Sequence, residues 1–239
     1  MHYKSKMKNK WKLIAISLVI LNFYHFVLKK YINVEQIIIK QFKKNDDLIL
    51  NRPIYRDLDE EYRYLNKNYK TKEVIVFIGD SITKRYNTCE FYRGKLILNR
   101  GIPFDTTYGL LERITFDLKD LRIKKIFLMI GINDLKIRSN NNIMLNIQMI
   151  TSKINAKQIY IQSMLPIAYY MSEQNKRIIQ INNLLMNFCK NNIYEYIDLH
   201  SHFLDERKGL SSDYSRDGVH LNLKGYILWS NLIRQFIDD

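Results

Sequence analysis

Two short stretches of this 239-residue chain hold residue types that could do nucleophilic chemistry together. In "VIVFIGDSITKRYN", Val74 to Asn87, five apolar residues run straight into Gly79-Asp80-Ser81 before the pattern turns polar. A serine hydroxyl is a weak nucleophile at neutral pH and needs a base. "SRDGVHLNLKGY", Ser215 to Tyr226, offers one in Asp217 and His220, three residues apart just before the final helical segment. On one turn, residues at that spacing share a face, so the carboxylate can reach the imidazole Nδ1. A carboxylate there fixes the tautomer and stabilises the imidazolium formed when Nε2 takes a proton. Taken alone, Gly-Asp-Ser can equally be a turn, because Gly, Asp and Asn favour strand ends.

The elements that must position these residues are legible from periodicity. Apolar runs of strand length fall at Val74–Ile78, Leu96–Leu98, Ile126–Ile130, Ile159–Ile161 and near Tyr194–Leu199. Helical spacing fills Tyr108–Leu118, Ile143–Ile154, Glu173–Cys189 and Leu223–Ile237. Continuous apolar strands separated by helices predict an α/β fold with a parallel sheet covered on both faces. Ligands in such sheets bind beyond the carboxyl ends of the strands. Three consecutive strands end there in Gly79-Asp80-Ser81, Asn99-Arg100-Gly101 and "GIND", Gly131 to Asp134, delivering a serine, a glycine and an asparagine to one edge.

Four blocks, "IGDSIT", "NRGIPFDTT", "MIGINDL" and "DGVHLN", resemble in kind and order those of the SGNH (GDSL-type) esterases and lipases. The likeness extends over about Val74 to Ile237. It is strongest to small bacterial esterases related to platelet-activating-factor acetylhydrolases and carbohydrate acetylesterases. The resemblance implies a three-layer α/β/α sandwich with a flavodoxin-like, about five-stranded parallel sheet. It implies Ser81 as nucleophile, His220 as general base and acid, and Asp217 as its orienter. It further implies an oxyanion hole made of the Ser81 amide, the Gly101 amide and the Asn133 side chain, with no metal or organic cofactor. Relatives often carry glycine where this chain has Phe104, and Lys84-Arg85-Tyr86 is more basic and bulky than their pattern. Both departures bear on the shape of the acyl or leaving-group pocket.

The amino terminus points to a membrane. Leu13 to Leu28 is sixteen residues broken only by Ser17, Asn22, Tyr24 and His25. As a helix it spans about 24 Å, a little less than the hydrocarbon core. Trp11 and Tyr31 flank it, and no small-residue cleavage site follows, which favours an uncleaved anchor over a signal peptide. Five lysines precede the segment and two follow, so the amino terminus is expected in the cytoplasm and the domain outside. The expected organisation is a basic terminus and transmembrane helix over 1–30, a stalk with short helices over 31–70, and the catalytic domain over 71–239.

The net charge of +14 is half accounted for by seven lysines in the first thirty residues. The rest is dispersed without a basic-aromatic motif, which argues against nucleic acid as a partner. Cys89 and Cys189 are far apart and read as apolar fillers, with a single bridge between them the alternative. His200 and His202 in "IDLHSHFLD" lack a third histidine and make a poor metal set. Asp80 is expected to bond its own turn, and Asp134 to cap the turn after the third strand.

The reading that follows is a membrane-anchored serine esterase of carbohydrate or lipid esters, with acetyl on carbohydrate the favoured substrate. An O-acetyltransferase with the same triad, a lysophospholipase or thioesterase, and a catalytically silent glycan-binding domain are its alternatives.

Overall fold

The structure, a computed structural model, describes residues 50–238. The expected anchor at 13–28 and residues 31–49 of the expected stalk lie outside the described residues. No helix among the described residues is long and apolar enough to cross a membrane.

The first strand, β1 (Glu73–Gly79), is a run of β-branched and aromatic residues, buried from its second residue onward. It forms a parallel sheet with β2 (Ile97–Gly101), β3 (Arg122–Met129), β4 (Ala156–Gln162) and β5 (Glu195–Ile197), in the order β2-β1-β3-β4-β5. Side chains alternate across the sheet, and each face has its own core. Val74, Val76 and Ile78 point to one face, where they meet Leu110 and Ile114 of α4 (Thr107–Asp117), Ile143 and Ile147 of α5 (Asn140–Lys153), and Ile178 and Ile181 of α6 (Ser172–Lys190). Ile75 and Phe77 point to the other, against Trp229 and Ile233 of α7 (Leu223–Asp238). Three registered neighbours, Phe77, Phe127 and Tyr160, stack in a row with successive ring centroids 4.7 Å apart. The Trp229 indole lies over Tyr86 at 4.6 Å, is fully buried, and donates through Nε1 to Gln162 Oε1 at 2.7 Å.

Each expected strand and helix is present, within a few residues at its ends. The largest difference is β3, which begins at Arg122 through "RIKK" rather than at Ile126. Lys125 makes this possible by burying its stem while Nζ donates to the Phe236 carbonyl, 2.8 Å away in the last turn of α7. A cation suits a helix carboxyl end. Two four-residue helices, α2 (Ser81–Lys84) and α3 (Thr88–Phe91), carried no periodicity to detect.

The domain also begins before residue 71. Helix α1 (Pro53–Leu65), which the sequence assigns to the stalk, buries Tyr55 and Tyr62 against Ile102. Tyr62 Oη donates to the Gly101 carbonyl at 2.8 Å and accepts from Lys84 Nζ at 3.0 Å. Asn66, just past the helix, donates to the Asp117 carbonyl at 2.6 Å and accepts from Arg100 at 2.6 Å. These tyrosines occupy one apolar stripe of a highly charged helix, and so the helix reads as solvated when charge is weighed without spacing.

Candidate active site

The chain order reverses between β1 and its two neighbours, β2 on one side and β3 on the other, so their carboxyl ends border the crevice typical of doubly wound sheets. β1 ends at Gly79, where any Cβ would sit 2.1 Å from the Met129 carbonyl oxygen of β3. The glycine is there because the strands approach too closely for a side chain. Asp80 follows as the cap of α2, and its Oδ1 accepts from the Ile82 amide at 2.9 Å. Burial pushes the Asp80 carboxyl up to about 7, against the pull of that hydrogen bond. Ser81 is then the first helical residue. Its amide belongs to the first turn, whose N–H groups have no acceptor within the helix.

His220 Nε2 lies 2.9 Å from Ser81 Oγ, although 139 residues separate them in sequence. Its Nδ1 is 2.7 Å from Asp217 Oδ2. With Nδ1 carrying the proton toward the carboxylate, Nε2 is an acceptor and the serine hydroxyl donates to it. The loop is closed around this pair. Ser215 and Leu221 form an antiparallel bridge, and Ser215 Oγ donates to the His220 carbonyl at 2.7 Å while accepting from the Gly218 amide at 2.9 Å. Asp217 Oδ1 accepts from the His220 amide at 2.7 Å and the Val219 amide at 3.0 Å. Desolvation raises the Asp217 carboxyl, but its hydrogen bonds from the His220 ring and the two amides outweigh that and hold it well below the usual carboxylate range.

The expected oxyanion donors are divided. Asn133 sits in the 3₁₀ turn Ile132–Lys136 after β3, and its Nδ2 donates one hydrogen to the Asp105 carbonyl at 2.8 Å. A second amide hydrogen remains on the same nitrogen. Its neighbour Asp134 does cap, but it caps α4 rather than its own turn, accepting from the Thr107 amide at 2.8 Å and the Thr107 hydroxyl at 2.6 Å. The Gly101 amide, expected in the hole, is committed instead to Asn99 Oδ1 at 2.9 Å. A Cβ on Gly101 would lie 2.3 Å from the Lys84 nitrogen, so close packing of β2 on α2 accounts for this glycine.

The loop after β2 supplies what the sequence did not announce. Asp105 N–H closes a turn onto the Ile102 carbonyl at 3.2 Å, with Pro103 second and Phe104 third. Phe104 has φ 67, as the third position of a type II turn requires, although glycine is the usual occupant. The left-handed region costs a non-glycine residue about 1–2 kcal/mol. Beneath the turn, Asp105 accepts from Arg113 Nε at 2.9 Å and from Tyr55 Oη at 3.3 Å, and Arg113 also pairs with Asp117. Above it, the Arg52 guanidinium lies 4.3 Å from the Phe104 ring centroid. A proline before the family's usual glycine position was the available signal for this turn.

Among the described residues there is no cluster of three metal-ligating side chains. Cys89 is exposed and Cys189 buried, and both thiols are free.

Comparison with known proteins gives the chain a family. The family model for the GDSL-like lipase/acylhydrolase family matches residues 77–228, and the chain belongs to that family. It is therefore a hydrolase of ester bonds. A Streptococcus pneumoniae protein, provisionally named a platelet activating factor, superposes with a TM-score of 0.71 at 26% identity, over 85% of this chain and 98% of that one. A Bacteroides fragilis protein provisionally named an acylhydrolase gives 0.68 at 25% identity, over 75% of this chain and 95% of its own. An acetylxylan esterase from Geobacillus stearothermophilus gives 0.59 at 18% identity, over 69% of this chain and 94% of its own, a likeness of fold. Comparison with curated proteins returned no match.

Proposed function

We propose that the chain is a serine esterase that removes small acyl groups, acetyl above all, from carbohydrate. The observation that carries the reading is the relay in which Ser81 Oγ, His220 and Asp217 are joined by contacts of 2.9 and 2.7 Å. Ser81 Oγ attacks the ester carbonyl as His220 Nε2 takes its proton. The new C–O bond leaves a tetrahedral oxyanion, which the Ser81 amide and the free hydrogen of Asn133 Nδ2 stabilise. We assign the third donor to the Phe104 amide, in the turn between Ile102 and Asp105, because the Gly101 amide is committed to Asn99 Oδ1. Collapse breaks the bond to the alcohol, and His220 returns the proton to the leaving alkoxide. Water, deprotonated by the same nitrogen, then attacks the acyl-enzyme and releases the acid and Ser81. The apolar segment 13–28, with its flanking lysines, supports an anchor that holds the domain outside the cell.

Hydrolysis of nitrophenyl esters of increasing chain length, with Ser81→Ala in parallel, tests this. Turnover of the acetate that is lost in the variant supports the reading. A preference for long acyl chains replaces it with a lipid or thioester substrate. An acetate turnover unchanged by Ser81→Ala overturns the nucleophile.

A further inference from the structure

The cavity that touches the base is chemically one-sided. It has a volume of about 380 Å³, and its walls include Arg85, Arg216, Asp217, His220 and Asn222. Arg85 is the residue that ends α2, four positions after the nucleophile. Arg216 lies in the loop that carries the base. The two guanidiniums thus come to His220 from both halves of the site. Both residues are exposed, and among the described residues neither guanidinium forms an ion pair or a side-chain hydrogen bond. The carboxylate in the same wall, Asp217, binds the His220 ring and two backbone amides and forms no ion pair with either arginine.

Position decides which part of a substrate meets these charges. His220 Nε2 hands its proton to the leaving alkoxide, so a cavity against His220 lies on the alcohol side of the scissile bond. Arginine presents planar, forked donors that suit phosphate and carboxylate oxygens. We propose that Arg85 and Arg216 form an anion subsite beside His220, so that the natural ester bears an oxyanion, phosphate or carboxylate, on its alcohol portion. A second cavity of about 320 Å³ shares Arg216 and Asp217 and is lined by Tyr169, Tyr170 and Arg207, the last paired with Asp205 at 3.6 Å. Tyr170 is 68% exposed, and the Arg207 guanidinium stacks 3.7 Å from the Tyr169 centroid. A polymer of alternating polyol or sugar and anionic units matches this sequence of arginine and aromatic surfaces better than an isolated neutral sugar does.

The inference rests on the esterase reading, and the two fail differently. Three acetates serve as probes: 1-acetylglycerol, 1-acetylglycerol 3-phosphate and 3-O-acetylglycerate. In wild type at low salt, at least one anionic ester should exceed the neutral one by about tenfold or more in kcat/KM, chiefly through KM, as charge-assisted hydrogen bonds allow. That ratio should fall toward one in Arg85→Gln/Arg216→Gln and at high ionic strength, and should be partly kept in Arg85→Lys/Arg216→Lys. Whichever anionic probe leads tells phosphate from carboxylate. Equal kcat/KM on neutral and anionic esters, or a preference that survives the double glutamine variant, overturns the subsite. If wild type turns over none of the three and no nitrophenyl acetate either, the esterase reading has failed. Calorimetric binding of 1-acetylglycerol 3-phosphate to Ser81→Ala, weakened by the double variant, would still uphold the subsite, and absence of binding would sink it.

Discussion

The Gly101 amide donates to Asn99 Oδ1 across 2.9 Å, and the same asparagine donates through Nδ2 to the carbonyls of Thr83 and Tyr86. One side chain therefore ties the end of β2 to the turn that follows Ser81. Gly101 acts in this arrangement as a packing residue. Gly101→Ala should lower the melting temperature, because its Cβ has nowhere to go, whereas Asn133→Ala should leave stability nearly intact. The catalytic loss belongs to Asn133→Ala, at about 10²–10³ in kcat, the usual cost of one oxyanion donor. Thermal scans beside steady-state kinetics separate the two.

Asp217 orients an imidazole that is only partly covered. Asp217→Asn would favour the wrong tautomer, leaving Nε2 protonated and unable to accept from Ser81. A fall of roughly 10²–10⁴ in kcat is expected, with KM little altered. Equal loss in both parameters would point to a binding role instead.

Phe104 tests the strained turn. Phe104→Gly should remain within about 1 kcal/mol of wild type, because relief at φ 67 offsets the lost ring contact with Arg52. Phe104→Val should be the least stable of the three, since a β-branched residue tolerates that conformation worst. Chemical denaturation gives the order, and an order with valine above glycine would discard the strain argument.

Asp80 makes stability depend on pH in a definite direction. Its folded carboxyl is pushed up to about 7 by burial, so the folded state binds a proton that the unfolded chain has already released. Stability from this group is present below the ordinary carboxylate value and declines as pH rises toward 7. Asp80→Asn keeps the acceptor for Ile82 and cannot ionise. Its melting temperature should therefore gain on wild type between about pH 5 and pH 8. A constant difference across that range would refute the buried charge.

Helix α1 belongs to the folded unit, so a chain beginning at residue 71 should not fold cooperatively. It would lose Tyr55, Tyr62 and Asn66 and would open the Asp105–Arg113–Asp117 cluster to water. The Gly101 and Asp117 carbonyls and the Arg100 guanidinium would lose their partners, and each buried polar group left unsatisfied costs about 1–3 kcal/mol, a large share of a domain's stability. Sharp thermal unfolding of that shorter chain would contradict the role given to α1.

Much of the site could be read from the residues because its local requirements are strict. A serine at a strand tip and an Asp-x-x-His pair each need a fixed spacing, and the structure joins Ser81, His220 and Asp217 by contacts of 2.9 and 2.7 Å. Most of the strands were legible because each holds a continuous apolar run, as Val74–Ile78 and Ile126–Met129 do. What escaped was decided by long-range contact. Lys125 is buried because a helix end 111 residues away accepts a hydrogen bond from its Nζ. The family resemblance implied Gly101 as a donor, but the acceptor two residues earlier is visible only in three dimensions. The charged face of α1 hid two tyrosines whose partners lie across the fold.

Trp229 gives the domain an optical signature of its own. The sequence holds two tryptophans, Trp11 and Trp229, and only the second lies in the described domain. Its indole is sealed from water, bonded to Gln162 and stacked on Tyr86. Emission from the isolated domain should be blue-shifted when folded and move to the red on unfolding. The row of stacked rings beside it should add a strong near-ultraviolet dichroism. Tyr86 lies five residues past the nucleophile and Tyr226 six past the base, and both stack with Trp229. The fluorophore therefore touches the two chain segments that bring the reacting groups together, and its spectrum reports directly on whether they have been assembled.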